Sequence, residues 1–149
     1  MIPQEVADLL TSRNNAIVSL NRVSGGPQLS PVWYLWDGDA FYFRVGKNTA
    51  KYRNILRNRS ISLMIYDATG FRYLVAYGEA DILEHNPRDV AVQIVQKYYA
   101  PSLALQRMPE EHEPDVVTIK MCPEKVVAVV EAIAQEAVES WSTTTDGVQ

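Results

Sequence analysis

The sequence predicts a mainly β protein with added helices, in which six strands form a closed or nearly closed antiparallel barrel. Strand-like segments recur about every eight to twelve residues along the chain. The first three follow one another through tight turns, which indicates an antiparallel meander. Helical segments are inserted only after the third strand. A doubly wound sheet is disfavoured because it would place a helix between the first strands.

The first third of the chain carries one short helix and three strands. Residues Pro3–Ser12 have a helical spacing of apolar residues, with Pro3 suited to the first turn. Strands are predicted at Ala16–Arg22, Gln28–Trp36 and Ala40–Val45, the last two joined by the turn signal Asp37-Gly38-Asp39. Ser24–Pro27 links two strands with no helix after it, so a hairpin turn is favoured over a phosphate-binding loop.

The remainder of the chain alternates between helices and longer strands. Helices are predicted at Thr49–Arg57, at Pro87–Tyr99 and, starting from a proline, at Pro123–Trp141. Strands are predicted at Ser60–Tyr66, Phe71–Leu83 and Asp115–Met121, with a bulge at Gly78 in the second. Residues 100–114 are expected to be irregular, and Thr143–Gln149 to form a frayed tail.

Composition limits the classes of protein that this chain can be. A length of 149 residues predicts one domain spanning 1–149, and 47% hydrophobic with 21% charged residues predicts an ordered globular fold. No apolar run approaches a membrane span, and the N-terminus lacks the pattern of a signal peptide, so a cytoplasmic location is expected. The single cysteine, Cys122, excludes an internal disulfide and is expected to be buried as a small hydrophobe.

Few side chains are suited to catalysis by themselves. The chain has two histidines and one cysteine, and it lacks a nucleophile elbow, a P-loop and a dinucleotide fingerprint. His85 is interpreted as a surface residue. His112 lies in an acidic stretch, PEEHEPD, which is interpreted as a solvated loop because metal-ligand spacing is missing. No metal site is predicted. If the protein is an enzyme, a bound cofactor must supply the reactive group.

The segment Arg44–Arg59 is strongly basic although the chain as a whole has a net charge of -4. It holds six basic residues and no acidic one. A strand end, a glycine and a helix start follow one another here, which is the arrangement of an anion site. Lys51 lies in the first helical turn, where a cation opposes the helix dipole, and Arg44 lies at the strand end. A single phosphate or carboxylate site is favoured over a solvated basic helix face.

The segment QLSPVWYLW is the second unusual feature. Pro31 cannot donate a ladder hydrogen bond, so its strand is expected at an edge, at a bulge or beside a ligand. Trp33 and Tyr34 are expected on opposite faces of the strand. On its own the segment is typical of an aromatic core. Beside a phosphate site it becomes a candidate platform for a planar ring.

Together these segments resemble the pyridoxamine 5'-phosphate oxidase-like split-barrel flavoprotein superfamily. The resemblance is strongest to its short branch of deazaflavin (coenzyme F420) oxidoreductases, through S-P-V-W-Y followed by G-x-x-x-A-K-x-R-N. It covers about residues 5–85 and again the predicted strand and helix start VVTIKMCPEKVV. The resemblance implies a homodimer of six-stranded split barrels, with two cofactor sites in the clefts between the subunits.

The resemblance also assigns roles to particular residues. It implies that Lys51 and Arg44 bind the cofactor phosphate, with Thr49 and Ala50 close by. It implies that the ring of the cofactor lies along Ser30, Pro31, Val32 and Trp33. The partner subunit is expected to close the ring pocket through its own copies of Phe71 and Tyr73. The chain departs from the classical oxidase at Ala50 and lacks the C-terminal substrate motif, so pyridoxamine phosphate oxidation is not expected.

The predicted function is hydride transfer between bound F420 or FMN and a small organic substrate. This chemistry needs orientation and a dry pocket more than reactive side chains, which fits their scarcity. The alternative within the superfamily is a non-catalytic, redox-sensing FMN-binding protein. A small barrel that binds nucleic acid through Arg44–Arg59 is disfavoured by the acidic total. No nucleic-acid partner and no membrane contact are expected.

Overall fold

A computed structural model describes residues 2–85, 87–131, 136 and 139–141. The strands in the described residues are β1 (Ala16–Leu20), β2 (Gln28–Val32), β3 (Leu35–Trp36), β4 (Phe41–Gly46), β5 (Ser60–Tyr66), β6 (Arg72–Leu83) and β7 (Val116–Val130). The helices are an N-terminal 3₁₀ helix (Gln4–Thr11), α1 (Ala50–Arg57), α2 (Arg88–Tyr98) and α3 (Pro101–Gln106). Within this part of the chain, no helix has the length and apolar character needed to cross a membrane.

The strands form one antiparallel sheet in the order β2-β1-β5-β6-β7-β4-β3. Its two edge strands, β2 and β3, are consecutive in the chain and are separated by only Trp33 and Tyr34. A two-residue link spans at most about 11 Å from Val32 to Leu35. The sheet therefore curls until its two edges approach each other, which gives an antiparallel half-barrel where the sequence predicted a closed or nearly closed barrel.

The curling also explains a difference in strand number. Gln28–Trp36 was predicted as one strand, but β2 ends at Val32 and β3 begins at Leu35. The chain crosses from one sheet edge to the other between them, so the described residues contain seven strands where the sequence predicted six. Pro31 lies in the edge strand β2, opposite Ile17 of β1. An edge is the position where a proline costs least.

The core lies on the concave face of the sheet. Alternate residues of β1, β4 and β5 are buried, as the period of a half-buried strand requires. The 3₁₀ helix covers one end of this core with Val6, Leu9 and Leu10, and Ile55 of α1 is fully buried. The predicted helical segment at Pro3–Ser12 is confirmed, although its hydrogen bonds are of the 3₁₀ type.

The bulge predicted at Gly78 is confirmed. The register between β6 and β7 shifts from Tyr77↔Lys125 to Gly78↔Pro123, which leaves Glu124 as the extra residue. A Cβ atom at position 78 would lie 2.7 Å from the carbonyl oxygen of Cys122, so only glycine fits here.

The helix predicted from Pro123 was wrong, because β7 continues through Pro123 to Val130. The proline is tolerated at the bulge, beyond Met121, where the pairing with β4 ends. After it, β-branched residues alternate: Val126 packs against the core and Val127 is 37% exposed. This run of valines favours a strand over a helix. Residues 136 and 139–141 are helical.

Two smaller predictions also need correction. The segment 100–114 was expected to be irregular, but Pro101–Gln106 forms α3, with its proline in the first turn. Cys122 was expected to be buried, but it is exposed next to the bulge. The predicted tail, Thr143–Gln149, lies outside the described residues.

Candidate functional site

The junction between β4 and α1 is built as a tight turn into a capped helix. Lys47 donates its backbone N–H to the carbonyl of Asp115 at 2.8 Å, which anchors the end of β4 to the start of β7. The Thr49 hydroxyl donates to the Gly46 carbonyl at 2.7 Å and accepts the Tyr52 backbone N–H at 3.3 Å. Thr49 is therefore the N-cap that the sequence predicted. The turn uses the single proton of this hydroxyl, which therefore has no further donor for a ligand.

A cavity of about 440 Å³ opens beside this junction. It has one wall from the edge strand, a rim of cations and a second wall from the helices that follow β6. The residues that line it are Pro31, Val32, Trp33, Arg44, Lys51, Ala91, Ile94, Val95, Tyr99 and Arg107. The structure thus brings together five of the ten predicted site residues, including both predicted phosphate ligands.

Arg44 reaches the cavity from β4 and is held by a carboxylate. Its Nη2 atom lies 2.9 Å from Oε2 of Glu113, and both side chains are largely buried. Its Nε atom is buried and has no hydrogen-bond partner within the described residues. A buried guanidinium N–H without an acceptor is costly, so this atom is expected to meet an acceptor when a ligand binds.

Lys51 and Arg107 complete the cationic rim. Lys51 is half-buried in the first turn of α1, and Arg107 follows the last turn of α3. Among the described residues, no carboxylate lies within 4.0 Å of either side chain. The rim therefore contains one cation that a glutamate partly neutralises and two that are not neutralised in this way.

Trp33 forms the aromatic part of the wall and contacts the end of α2. Its ring is stacked on Tyr98, with centroids 4.8 Å apart and planes 4° apart, and it makes an edge contact with Tyr99 at 5.2 Å. Trp33 remains 39% exposed, whereas Tyr34 is fully buried. The two side chains differ in exposure as the prediction of opposite faces requires, but they lie in a link and not in the predicted strand.

Tyr34 is the largest fully buried side chain of the core. Its hydroxyl donates to the backbone carbonyl of Leu9 in the 3₁₀ helix. Burial raises the pKa of Tyr34 to about 12, so its phenol stays protonated at neutral pH. Tyr34 therefore anchors the link between β2 and β3 to the core, while the Trp33 ring lines the cavity.

The other five predicted residues do not line the cavity. Ser30 lies one position before Pro31 and pairs with Val18, on the concave side of β2. Thr49 is occupied as the helix cap. Phe71 and Tyr73 belong to the hairpin between β5 and β6, which is separated from β2 by β1 and β5. Among the described residues that line the cavity, neither Phe71 nor Tyr73 appears.

Ala50 lies on the other side of α1, in a second groove of about 470 Å³. The groove holds three arginines, and no carboxylate of the described residues lies within 4.0 Å of them. Its lining residues are Arg22, Val23, Ser24, Ala50, Arg53, Asn54 and Arg57. Helix α1 thus separates Lys51, which lines the aromatic-walled cavity, from Arg53 and Arg57, which line a groove without aromatic residues.

Sequence reasoning missed the contribution of the segment between β6 and β7. Helix α2 was predicted, but nothing in its periodicity indicates that Ala91, Ile94 and Val95 line a cavity together with β2. Arg107 and Glu113 lay in stretches interpreted as irregular or solvated. The consecutive tyrosines Tyr98 and Tyr99 were the available signal, since aromatic side chains contribute large contact areas and stack on one another.

The curled half-barrel with helices inserted between its strands is the fold of the pyridoxamine 5'-phosphate oxidase-like proteins. The profile of the pyridoxamine 5'-phosphate oxidase family matches residues 2–129 of this chain. The chain belongs to this family, whose members typically bind flavin or F420 cofactors. No curated protein matches the chain significantly.

Solved structures agree with this fold. A protein described as F420 reductase is 25% identical, with a TM-score of 0.72, and the match covers 85% of this chain and 98% of that one. A conserved hypothetical protein of Mycobacterium tuberculosis is 20% identical, with a TM-score of 0.68, over 87% and 85% of the two chains. The heme storage protein HutZ of Vibrio cholerae is 15% identical, with a TM-score of 0.66, over 84% and 92%. The last two likenesses concern the fold alone.

Proposed function

We propose that the chain binds F420 or FMN in the cavity beside β2 and transfers a hydride between this cofactor and a small organic substrate. The observation that carries the proposal is the composition of the cavity. An apolar and aromatic segment, Pro31–Trp33, faces the same 440 Å³ space as Arg44 and Lys51. A planar ring with a phosphorylated side chain needs these two surfaces next to each other.

The phosphate end of the cavity fits an anion in two ways. Lys51 offers an ammonium group in the first turn of α1, where the helix dipole also favours negative charge. Arg44 offers the buried Nε donor that no described residue satisfies. Charge-assisted hydrogen bonds of this kind are short and strong, so both side chains are assigned to the phosphate.

The ring end fits a flat, largely apolar group. Pro31 and Val32 present no side-chain donor or acceptor, and Ile94 and Val95 of α2 face them across the cavity. The bound flavin or deazaflavin supplies the hydride chemistry. The task of these side chains is to orient the ring and to exclude water from it.

F420 is the first cofactor to test. The F420 reductase structure is the 25% identical neighbour and covers 85% of this chain. FMN shares the phosphate and the tricyclic ring, so the residues named above fit either cofactor. The two are separated by measuring both affinities with the same purified protein.

A homodimer is part of the proposal, because the cavity borders an apolar surface. The convex face of the sheet carries a continuous cross-strand row formed by Pro31, Ile17, Met64, Val75 and Val127. On the same face Tyr66 is 40% exposed and Tyr77 is 45% exposed. In the proposed dimer a second copy packs on this face, and its Phe71 and Tyr73 are expected to close the cavity.

The dimer is tested by sedimentation velocity of wild-type protein and of a Val75→Lys variant. Wild type is expected to sediment as a dimer and the variant as a monomer with unchanged circular dichroism. A monomeric wild type at micromolar concentration would overturn the dimer, and with it the roles of Phe71 and Tyr73.

A non-catalytic flavin-binding protein is the second candidate, and one observation favours it. The described residues that line the cavity include no carboxylic acid, histidine or cysteine. A substrate that needs a proton from an acid with a pKa near neutrality would find none there. In this case the same residues would bind the cofactor without turnover.

The proposal is tested by titrating purified protein with F420 and with FMN while the quenching of tryptophan fluorescence is recorded. Saturable binding of at least one cofactor is the expected result. Absence of binding for both, with a folded protein, would overturn the proposal. Turnover of the bound cofactor by a cofactor-regenerating system then separates the oxidoreductase from the non-catalytic binder.

A further inference from the structure

The link between β2 and β3 lacks the support of a neighbouring strand. β2 pairs with β1 as far as Val32, and β3 pairs with β4 from Leu35 onwards. The peptide groups of Trp33 and Tyr34 therefore lie outside both ladders. A cavity wall built on such a link needs hydrogen bonds from elsewhere in the molecule.

The last turn of α2 supplies them through side chains. The Lys97 Nζ atom donates to the Tyr34 carbonyl at 2.8 Å. The backbone N–H of Tyr34 donates to the Tyr98 hydroxyl at 3.3 Å, and this hydroxyl donates to the Asn14 carbonyl at 3.0 Å. Both polar groups of the Tyr34 backbone are thus satisfied by two consecutive residues of one helix.

The same two residues also hold the aromatic rings of the link. The ammonium group of Lys97 lies 3.5 Å from the centroid of the Tyr34 ring and 4.8 Å from that of Tyr98. Such distances are typical of cation–π contacts. The Tyr98 ring in turn stacks on Trp33. Lys97 therefore lies between a core residue and the ring that supports the cavity wall.

The position of Lys97 is itself fixed. Its backbone carbonyl accepts a hydrogen bond from Arg13 Nε at 2.7 Å, which ties the end of α2 to the segment before β1. Lys97 does not line the cavity, so it has no direct route to a ligand there. The side chain can therefore act on the cavity only indirectly, through Tyr34, Tyr98 and Trp33 or through α2, whose Ile94 and Val95 line the cavity.

We propose that Lys97 is a positioning residue for the cavity, which holds the Trp33–Tyr34 link in place and so sets the orientation of the Trp33 ring. The part of this inference that concerns a cofactor rests on the function proposed above. The part that concerns Trp33 does not. Half-burial of Lys97 is consistent with a structural contact that is kept at a cost in hydration.

The inference is tested with Lys97→Met, which keeps the length of the side chain and removes the charge and the donor. Lys120→Met is the matched control, because Lys120 also lies near a tyrosine ring, at 6.0 Å from Tyr42, and does not line the cavity. A Trp33→Phe variant identifies the share of the near-ultraviolet circular dichroism that comes from Trp33.

We expect Lys97→Met to lose most of the Trp33 share of the signal and to raise the Kd for FMN or F420 by about fivefold, since it removes one charge-assisted hydrogen bond whose effect reaches the ligand indirectly. Lys120→Met is expected to change neither quantity. Lys97→Arg, which keeps the charge and a donor, is expected to recover part of both. A role in stability alone would lower the Tm without changing either quantity in the folded protein, and this result would overturn the inference.

A second, milder variant tests the same inference if Lys97→Met does not fold. Tyr98→Phe keeps the ring that stacks on Trp33 and removes only the hydroxyl that bridges Tyr34 and Asn14. It is expected to reduce the Trp33 signal less than Lys97→Met does; an unchanged signal in both variants would contradict the inference. If the Trp33 signal responds as expected while wild type binds neither cofactor, the positioning role of Lys97 stands and the proposed function fails.

Discussion

The two sides of helix α1 carry similar charge but differ in what lies opposite. On one side Lys51 faces the cavity together with Arg44, and the end of β2 with Trp33 forms the opposite wall. On the other side Arg53 and Arg57 face a groove with Arg22 and no aromatic residue. This difference indicates that positive charge alone is not sufficient to select a cofactor site. The cavity side is the one that also offers an apolar surface for a ring.

The largest expected effect compares one cation from each side. Lys51→Ala is expected to weaken binding of FMN or F420 by about 1.5–3 kcal/mol, the range for a hydrogen bond to a charged group. Arg53→Ala should change the affinity by less than about twofold, since its charge faces the other groove and is screened. Isothermal titration of both variants measures the difference. Equal losses of affinity in the two variants would show that the cofactor phosphate does not bind specifically on the cavity side of α1.

A second experiment removes the apolar wall and keeps the cations. Trp33→Ala is expected to raise the Kd for the cofactor about tenfold, because the aromatic surface and its stack on Tyr98 are lost. Val23→Ala is the matched change in the groove, where Val23 is 81% exposed, and it should leave the Kd unchanged. Fluorescence of the cofactor reports both values. An unchanged Kd for Trp33→Ala would remove Trp33 from the ring platform.

The sequence could predict the cavity side of α1 because its signals are local. A glycine, a cap and a lysine follow one another within six residues, and the proline of β2 indicates an edge within its own strand. The bulge at Gly78 could also be predicted, because a glycine interrupts the strand pattern at this position. Helix caps, bulges and edges depend on neighbouring residues, so a single sequence carries the information.

The opposite wall of the cavity could not be predicted, because it depends on contacts between distant residues. Glu113 pairs with Arg44 across sixty-nine positions, and Tyr98 reaches Tyr34 across sixty-four. Pro123 was misread for a related reason. A proline before apolar residues is typical of a helix start, and only the end of the β4 pairing makes it acceptable in β7.

A smaller effect is expected from the glutamate that distinguishes Arg44 from Lys51. Glu113→Gln removes the negative charge and keeps an acceptor for Arg44. It is therefore expected to strengthen phosphate binding by about 0.5–1 kcal/mol, the scale of a partly screened ion pair. The gain should shrink as salt rises from low to high concentration. Weaker binding in the variant would mean that the orientation given by the carboxylate matters more than its charge.

The smallest expected effect is on the pH dependence of stability. It concerns the cavity side of α1, because half-buried Lys97 supports the cavity wall and no lysine is among the described residues that line the groove. Burial lowers the pKa of Lys97 from 10.5 to about 8, outweighing the ring and carbonyl contacts that favour the charged amine. Between these values the unfolded chain binds more protons than the folded one, so this group makes the free energy of unfolding rise with pH.

We expect wild type to gain about 1–2 °C in Tm between pH 7.5 and 9.5 relative to Lys97→Met, a value reduced for the partial exposure of the amine. The comparison stops below pH 10 because the pKa of Tyr34 is raised to about 12, so this tyrosine lowers stability once the unfolded chain ionises. Scanning calorimetry of both proteins across this range checks the sign. Parallel curves would mean that Lys97 keeps its proton in the folded protein, and a fall relative to the variant would mean that its contacts with Tyr34 and Tyr98 outweigh burial.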